Sequence, residues 1–164
     1  MKLKITNIFL SILLILFVIF LFDNKYYNKE KQSDIKIEKY ETICGKYAKC
    51  EIKINNKILL ADIADDNCKR KLGLSGKKSI EEGAMFFVFE KMGNYGFWMK
   101  DINFPIDILW INDNFEIIGI EKNILSNTYP KIFGEIYLTK YVLEVPAFYS
   151  DKNNIKIGDK IEFL

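Results

Sequence analysis

The chain has 164 residues, a formal net charge of +2, 49% hydrophobic residues and no histidine. That length suits one domain with a real core, and the near-balanced charge gives no electrostatic footprint for nucleic acid. Without histidine, Ser-His-Asp and Cys-His nucleophile systems, His-ligated zinc and histidine pH switches are all excluded.

Residues 5–22 read ITNIFLSILLILFVIFLF, uncharged throughout. At about 1.5 Å per residue the stretch is roughly 27 Å long, close to the ~30 Å hydrocarbon core of a bilayer. Lys2 and Lys4 precede it, so the positive-inside tendency leaves the amino terminus in the cytoplasm and the remainder outside. A cleaved signal peptide is the rival reading. It would have a shorter apolar core and a small-x-small site, whereas Asp23-Asn24-Lys25-Tyr26-Tyr27 follows here. The expectation is therefore an uncleaved signal-anchor over residues 1–22. A polar tether follows over 23–41, where Ile35, Ile37 and Tyr40 could alternatively open a strand. The folded domain then spans 42–164.

Most of that domain reads as strand. Glu51-Ile52-Lys53-Ile54 alternates, Asn55-Asn56 turns the chain, and Lys57 to Ile63 resumes an apolar run, which is a hairpin pattern. Asp65-Asp66 can cap a short helix through Cys68, Arg70 and Leu72, stopped by Gly73. Ala84 to Phe89 is a continuous apolar run suited to a strand buried on both faces. Tyr95 to Lys100, Asp107 to Ile111, Phe115 to Ile120, Tyr141 to Val145 and Lys160 to Leu164 complete the strands. Pro146 to Asp151 is a candidate for one helical turn. Many short strands with one or two short helices predict a mainly β fold, either a single compact sandwich or a barrel-like domain.

Arg70 is the sole arginine in a lysine-rich chain, which suggests a place where a planar fork of donors is needed and an ammonium will not serve, with chance as the alternative. Strand alternation puts Asp107 and Trp110 on opposite faces. One of them therefore meets apolar surroundings, and an aspartate there needs a partner, for which Arg70 and Lys100 are natural. These residues suggest a ligand site in which Arg70, Lys100 and Asp107 converge, with Trp98 and Tyr129 as apolar walls. It would suit an anionic or hydroxyl-rich ligand such as an envelope glycan or a peptide terminus. The same charges also suit a buried ion pair that fixes strand register. Trp98, Trp110 and the phenylalanine runs read as core more readily than as a ligand platform.

Glu81, Glu82 and Glu144 are the spare carboxylates. Glu81-Glu82 reads as an exposed turn, and Glu144, sharing a strand face with Val142, reads as a ladder or rim position. No catalytic residue is assigned, and no metal or cofactor is expected, because the Asp113 turn lacks a calcium-loop pattern. Of the three cysteines, Cys44 and Cys50 are the expected bridge across a small loop, leaving Cys68 free.

Several blocks resemble one family. They are Gly73-Leu74-Ser75-Gly76, Glu82 to Phe89 (EGAMFFVF), Phe97 to Asp101 (FWMKD), Pro105 to Ile111 (PIDILWI), Thr128-Tyr129-Pro130, Tyr141 to Val145 (YVLEV) and Ile155 to Asp159 (IKIGD). Their order and spacing are similar to the domain-of-unknown-function 192 family, also called uncharacterised protein family 0127, over about residues 50–164. The resemblance implies a compact β domain, often exported or membrane-anchored in bacteria and archaea, with no established activity. Arg70 fits the arginine usual before the family's Gly-Leu pair. The family usually has glycine where this chain has Phe148, and Gly-Met-Leu-Phe where this chain inserts Ala84.

The sequence thus points to an uncharacterised membrane-anchored, extracytoplasmic module that binds a ligand or partner. A hydrolase or lyase acting on envelope polymers and a purely structural envelope accessory are the alternatives.

Overall fold

The structure, a computed structural model, describes residues 15, 17–25, 44–80 and 83–164. Residues Met1–Lys39 and Tyr40–Leu164 form separate units. In the first, residues 17–25 are helical, and no helix among the described residues is long and apolar enough to cross a membrane. Most of the expected anchor at 5–22, most of the expected tether at 23–41 and the Glu81-Glu82 turn lie outside the described residues.

The second unit is built on one sheet of seven strands: β1 (Ala48–Ile54), β2 (Lys57–Ala64), β3 (Gly83–Asn94), β4 (Ile106–Ile111), β5 (Ile117–Ile124), β6 (Leu138–Pro146) and β7 (Ile161–Phe163). Their order across the sheet is β5-β4-β6-β3-β2-β1-β7. All neighbours are antiparallel except β2 and β3. The β1–β2 pair is the expected hairpin, with Asn55 at φ 54 in its turn. A parallel partner requires a longer crossover, which here carries helix α1 (Asn67–Leu72).

One sheet, not the two stacked sheets of a sandwich, encloses the core because it curls. The start of β5 meets the start of β7 through the Glu116–Lys160 bridge. Ile117 N–H donates to the Asp159 carbonyl at 2.8 Å, and Ile161 N–H to that of Phe115 at 2.9 Å. The result is a curled half-barrel. Ile52, Ile54, Ala61, Phe86, Leu109, Leu143, Val145 and Ile161 pack together on its inner face. On the opposite face Met85, Phe87, Ile108, Trp110 and Val142 form a second cluster with Leu74, Met99, Ile102 and Phe133 from the connecting segments. Apolar packing on both faces is why β4, IDILWI, is buried at every position.

Tyr95 to Lys100 departs from the expected strand. Only Phe97 pairs, in an isolated bridge with Phe133. The segment instead covers the outer cluster, with Phe97 edge-on to Phe87 and to Trp110.

Candidate functional site

Helix α1 positions the first wall. Asp66 caps it by accepting the Lys69 N–H at 2.8 Å. Gly73 ends it at φ 50, where a Cβ would stand 3.2 Å from the Phe87 ring. A side chain there would meet both unfavourable backbone angles and a packed aromatic, so glycine is required.

Arg70 explains its own uniqueness. Its Nη1 donates to the carbonyls of Asp65 and Val88 at 2.7 Å each, and its Nη2 to Asn67 Oδ1 at 2.7 Å. The guanidinium lies 5.4 Å from the centre of the Phe89 ring. Val88 is where the β3–β6 register breaks before resuming at Gly93. The arginine thus ties α1 to a carbonyl beside an interrupted ladder while stacking on an aromatic. An ammonium cannot reproduce that geometry.

Asp107 answers the sequence question differently. It is fully buried and faces neither Arg70 nor Lys100. Its Oδ1 accepts the N–H groups of Asn123 at 2.8 Å and Phe148 at 3.0 Å, and its Oδ2 that of Ser150 at 2.9 Å. Its partners are backbone donors around the β5 end and the start of helix α2 (Tyr149–Lys152). The proposed convergence of Arg70, Lys100 and Asp107 does not occur. Lys100 is exposed, and the contact at its position is its carbonyl accepting the Ser75 hydroxyl at 2.9 Å.

Arg70 and Trp98 do come together, in a cleft of about 310 Å³ between α1, its following turn and the 94–98 segment. Phe87, Phe89, Tyr95, Phe97 and Trp98 supply its aromatic surface, and Lys71, Ser75 and Asn94 its polar groups. Phe89 stacks on Tyr95 with centroids 3.6 Å apart. Trp98 is 47% exposed, against full burial for Trp110, so only one of the two tryptophans is a core residue. Tyr129 stays with the site through Trp98, edge to face at 6.4 Å.

Glu144 also lines this cleft. Its register partners are Met85 on β3 and Ile108 on β4, which fixes the carboxyl on the outer face of the sheet among apolar neighbours. The residue is 2% exposed, and Oε2 has no hydrogen-bond partner among the described residues. Burial pushes its pKa up to about 8, against an opposing pull from the Lys77 ammonium. Lys77 itself pairs with Asp62 at 2.7 Å. A protonated carboxyl at neutral pH can donate as well as accept. Glu144 is thus buried in the cleft lining, not placed on a strand rim. The alternation rule already put it on the face of Val142. What the sequence did not carry is how deeply that face is covered by α1 and the 95–104 segment.

The disulfide joins Cys44 to Cys68, not Cys50, with Cα atoms 5.4 Å apart. Cys50 lies within β1, paired with Ala61 in an extended ladder that carries it away from Cys44. Cys68 sits on α1, so the bridge fastens the chain entering the domain to the helix that walls the cleft. Cys50 remains a half-buried thiol whose pKa burial raises, which makes it a poor nucleophile.

Curled mainly β architecture with an aromatic-walled cleft over one buried carboxyl is the class this domain defines. The chain belongs to the domain-of-unknown-function 192 family (DUF192, "Uncharacterized ACR"), which it matches over residues 50–163. None of the curated proteins compared matches it. Among solved structures it is similar to a "putative transcription regulator" from Sinorhizobium meliloti 1021, at 25% identity and TM-score 0.68, over 72% of this chain and 95% of that one. It is also similar to a protein of unknown function from Novosphingobium aromaticivorans DSM 12444, at 21% identity and TM-score 0.60, over 71% and 84% of the two chains.

Proposed function

We propose that this protein is a membrane-tethered module of the cell envelope. In this reading residues 5–22 anchor it, the β domain faces outward, and the cleft beside α1 holds a ligand. The observation that carries the binding part is Glu144, a carboxyl with an unpartnered oxygen buried in the lining of an aromatic cleft. Such a group costs stability unless something offsets it. Polar groups retained in an aromatic-walled concavity are what ligand sites use to fix orientation. The anchoring part rests on the uncharged 5–22 stretch behind two lysines and on the disulfide, which suits an oxidising compartment.

Catalysis on envelope polymers is the second reading, and a raised carboxyl pKa favours it. Paired carboxylates usually perform glycosidic cleavage, and Glu144 is the only acidic residue of the cleft lining among the described residues, so the support leans toward binding. The description of the S. meliloti relative as a regulator finds little support in a net charge of +2.

A thermal-shift series on the purified chain, with peptidoglycan fragments and short peptides as probes, tests the ligand. Stabilisation of wild type that disappears in Trp98→Ala is expected. Stabilisation undiminished in that variant would place the ligand elsewhere.

A further inference from the structure

Resting on the cleft reading above, we propose that the occupant is a non-cationic saccharide unit, its ring lying along Trp98 and one of its hydroxyls hydrogen-bonded to the Glu144 carboxyl. The geometry supplies three constraints. Trp98 is the half-exposed aromatic of the cleft lining, a surface suited to a ring that is apolar on one side and hydroxylated at its edge. Tyr129, edge-on at 6.4 Å, braces that indole. Glu144 lies in the same lining, 2% exposed, with its buried Oε2 unpartnered among the described residues. A sugar hydroxyl both donates and accepts, so it pairs with a carboxyl in either protonation state.

Charge then decides between ligand classes. Arg70 and the exposed Lys71 lie in the lining, and Lys77 acts on Glu144 from the α1–β3 connection. Arg70 and Lys71 put two cations in the lining, Lys77 is paired with Asp62, and burial pushes the Glu144 carboxyl toward its protonated form, so an ammonium ligand would gain little ion pairing there despite the aromatic walls. A carboxylate-bearing sugar is tolerated at the Lys71 side. A peptide amine is not.

The probes are methyl glucoside, glucuronic acid, glucosamine and a free-amine tripeptide, each titrated into the purified full chain and followed by Trp98 fluorescence, with Trp98→Phe as the blank. Saturable binding of the first two, with glucosamine weaker, is expected. Glu144→Gln, which keeps the size and hydrogen-bonding capacity, should bind the glucoside nearly as wild type. Glu144→Leu, which keeps only the size, should lose about tenfold, the equivalent of one good hydrogen bond. Tripeptide or glucosamine binding in preference to the glucoside would overturn the saccharide assignment while leaving the cleft as the ligand site. Glucoside binding that is unchanged in Glu144→Leu would overturn the role of the carboxyl. Failure of every probe to perturb Trp98 would overturn the saccharide assignment too. The peptidoglycan-fragment series then judges the cleft reading separately.

Discussion

Asp107 Oδ1 accepts the backbone N–H of Phe148 at 3.0 Å, and Phe148 is held at φ 64, in the left-handed region. The two facts belong together. Asp107 also takes the N–H of Asn123, itself at φ 49, so one buried carboxylate fixes two left-handed positions, one in the irregular end of β5 and one in the turn before α2. Removing it leaves three donors facing an apolar interior. Asp107→Ala should cost about 3 kcal/mol in urea unfolding, within the range for stripping a buried group from its partners. A loss under 1 kcal/mol would mean the three contacts contribute little.

Phe148 is the counterpart. A bulky residue in the left-handed region pays roughly 1 kcal/mol, and the side chain is 48% exposed, so its packing offsets little. Phe148→Gly should raise stability by a few tenths to about 1 kcal/mol, after the entropic penalty of glycine. The resemblance to the family pattern, with glycine at this place, has its physical reason here. Destabilisation of this variant would show that the phenylalanine ring carries packing the exposure does not suggest.

Glu144 makes stability pH-dependent. Its ordinary value of 4.5 applies to the unfolded chain, and the folded value is about 8. Between the two the folded protein holds a proton the unfolded chain has lost. Its stabilising share is complete below the lower value, then declines as pH rises and is gone above the upper one. The slope is at most about 1.4 kcal/mol per pH unit. Melting temperatures of wild type should therefore fall between pH 5 and 8 relative to Glu144→Gln. Parallel profiles for the two proteins would remove the raised pKa from the account.

The Cys44–Cys68 bridge closes a loop with a sequence separation of 24. By chain entropy, losing it should cost about 3 kcal/mol. Cys44→Ser and Cys68→Ser should both show that loss, and Cys50→Ser should be nearly silent. Non-reducing peptide mapping that linked Cys50 to either partner would contradict the pairing.

What the sequence made legible follows local chemistry. The β1–β2 hairpin was written in alternation and an Asn-Asn turn. Helix α1 was written in its Asp66 cap and Gly73 stop. The lone arginine announced a fork geometry, which Asp65, Asn67 and Val88 supply. Long-range choices were not legible. Nothing local says that Asp107 would find backbone donors across a sheet in place of a cation, or that Cys44 would bypass the nearer cysteine for one on α1. Trp98 and Trp110 look alike in sequence, and only the path of the 94–104 segment leaves one in the cleft and the other beneath Gly134, where a Cβ would stand 2.0 Å from the indole. Glu144 escaped for the same reason. Its face was readable, but its cover was not.

The most direct test of the Glu144 cleft is a pH titration of carboxyl carbon-13 resonances in the purified chain, assigned through Glu144→Gln and repeated with methyl glucoside. One resonance, absent from the variant, should titrate near pH 8 and shift when the glucoside is added. A Glu144 resonance that titrates in the ordinary carboxylate range and ignores the sugar would contradict both the buried carboxyl and its role.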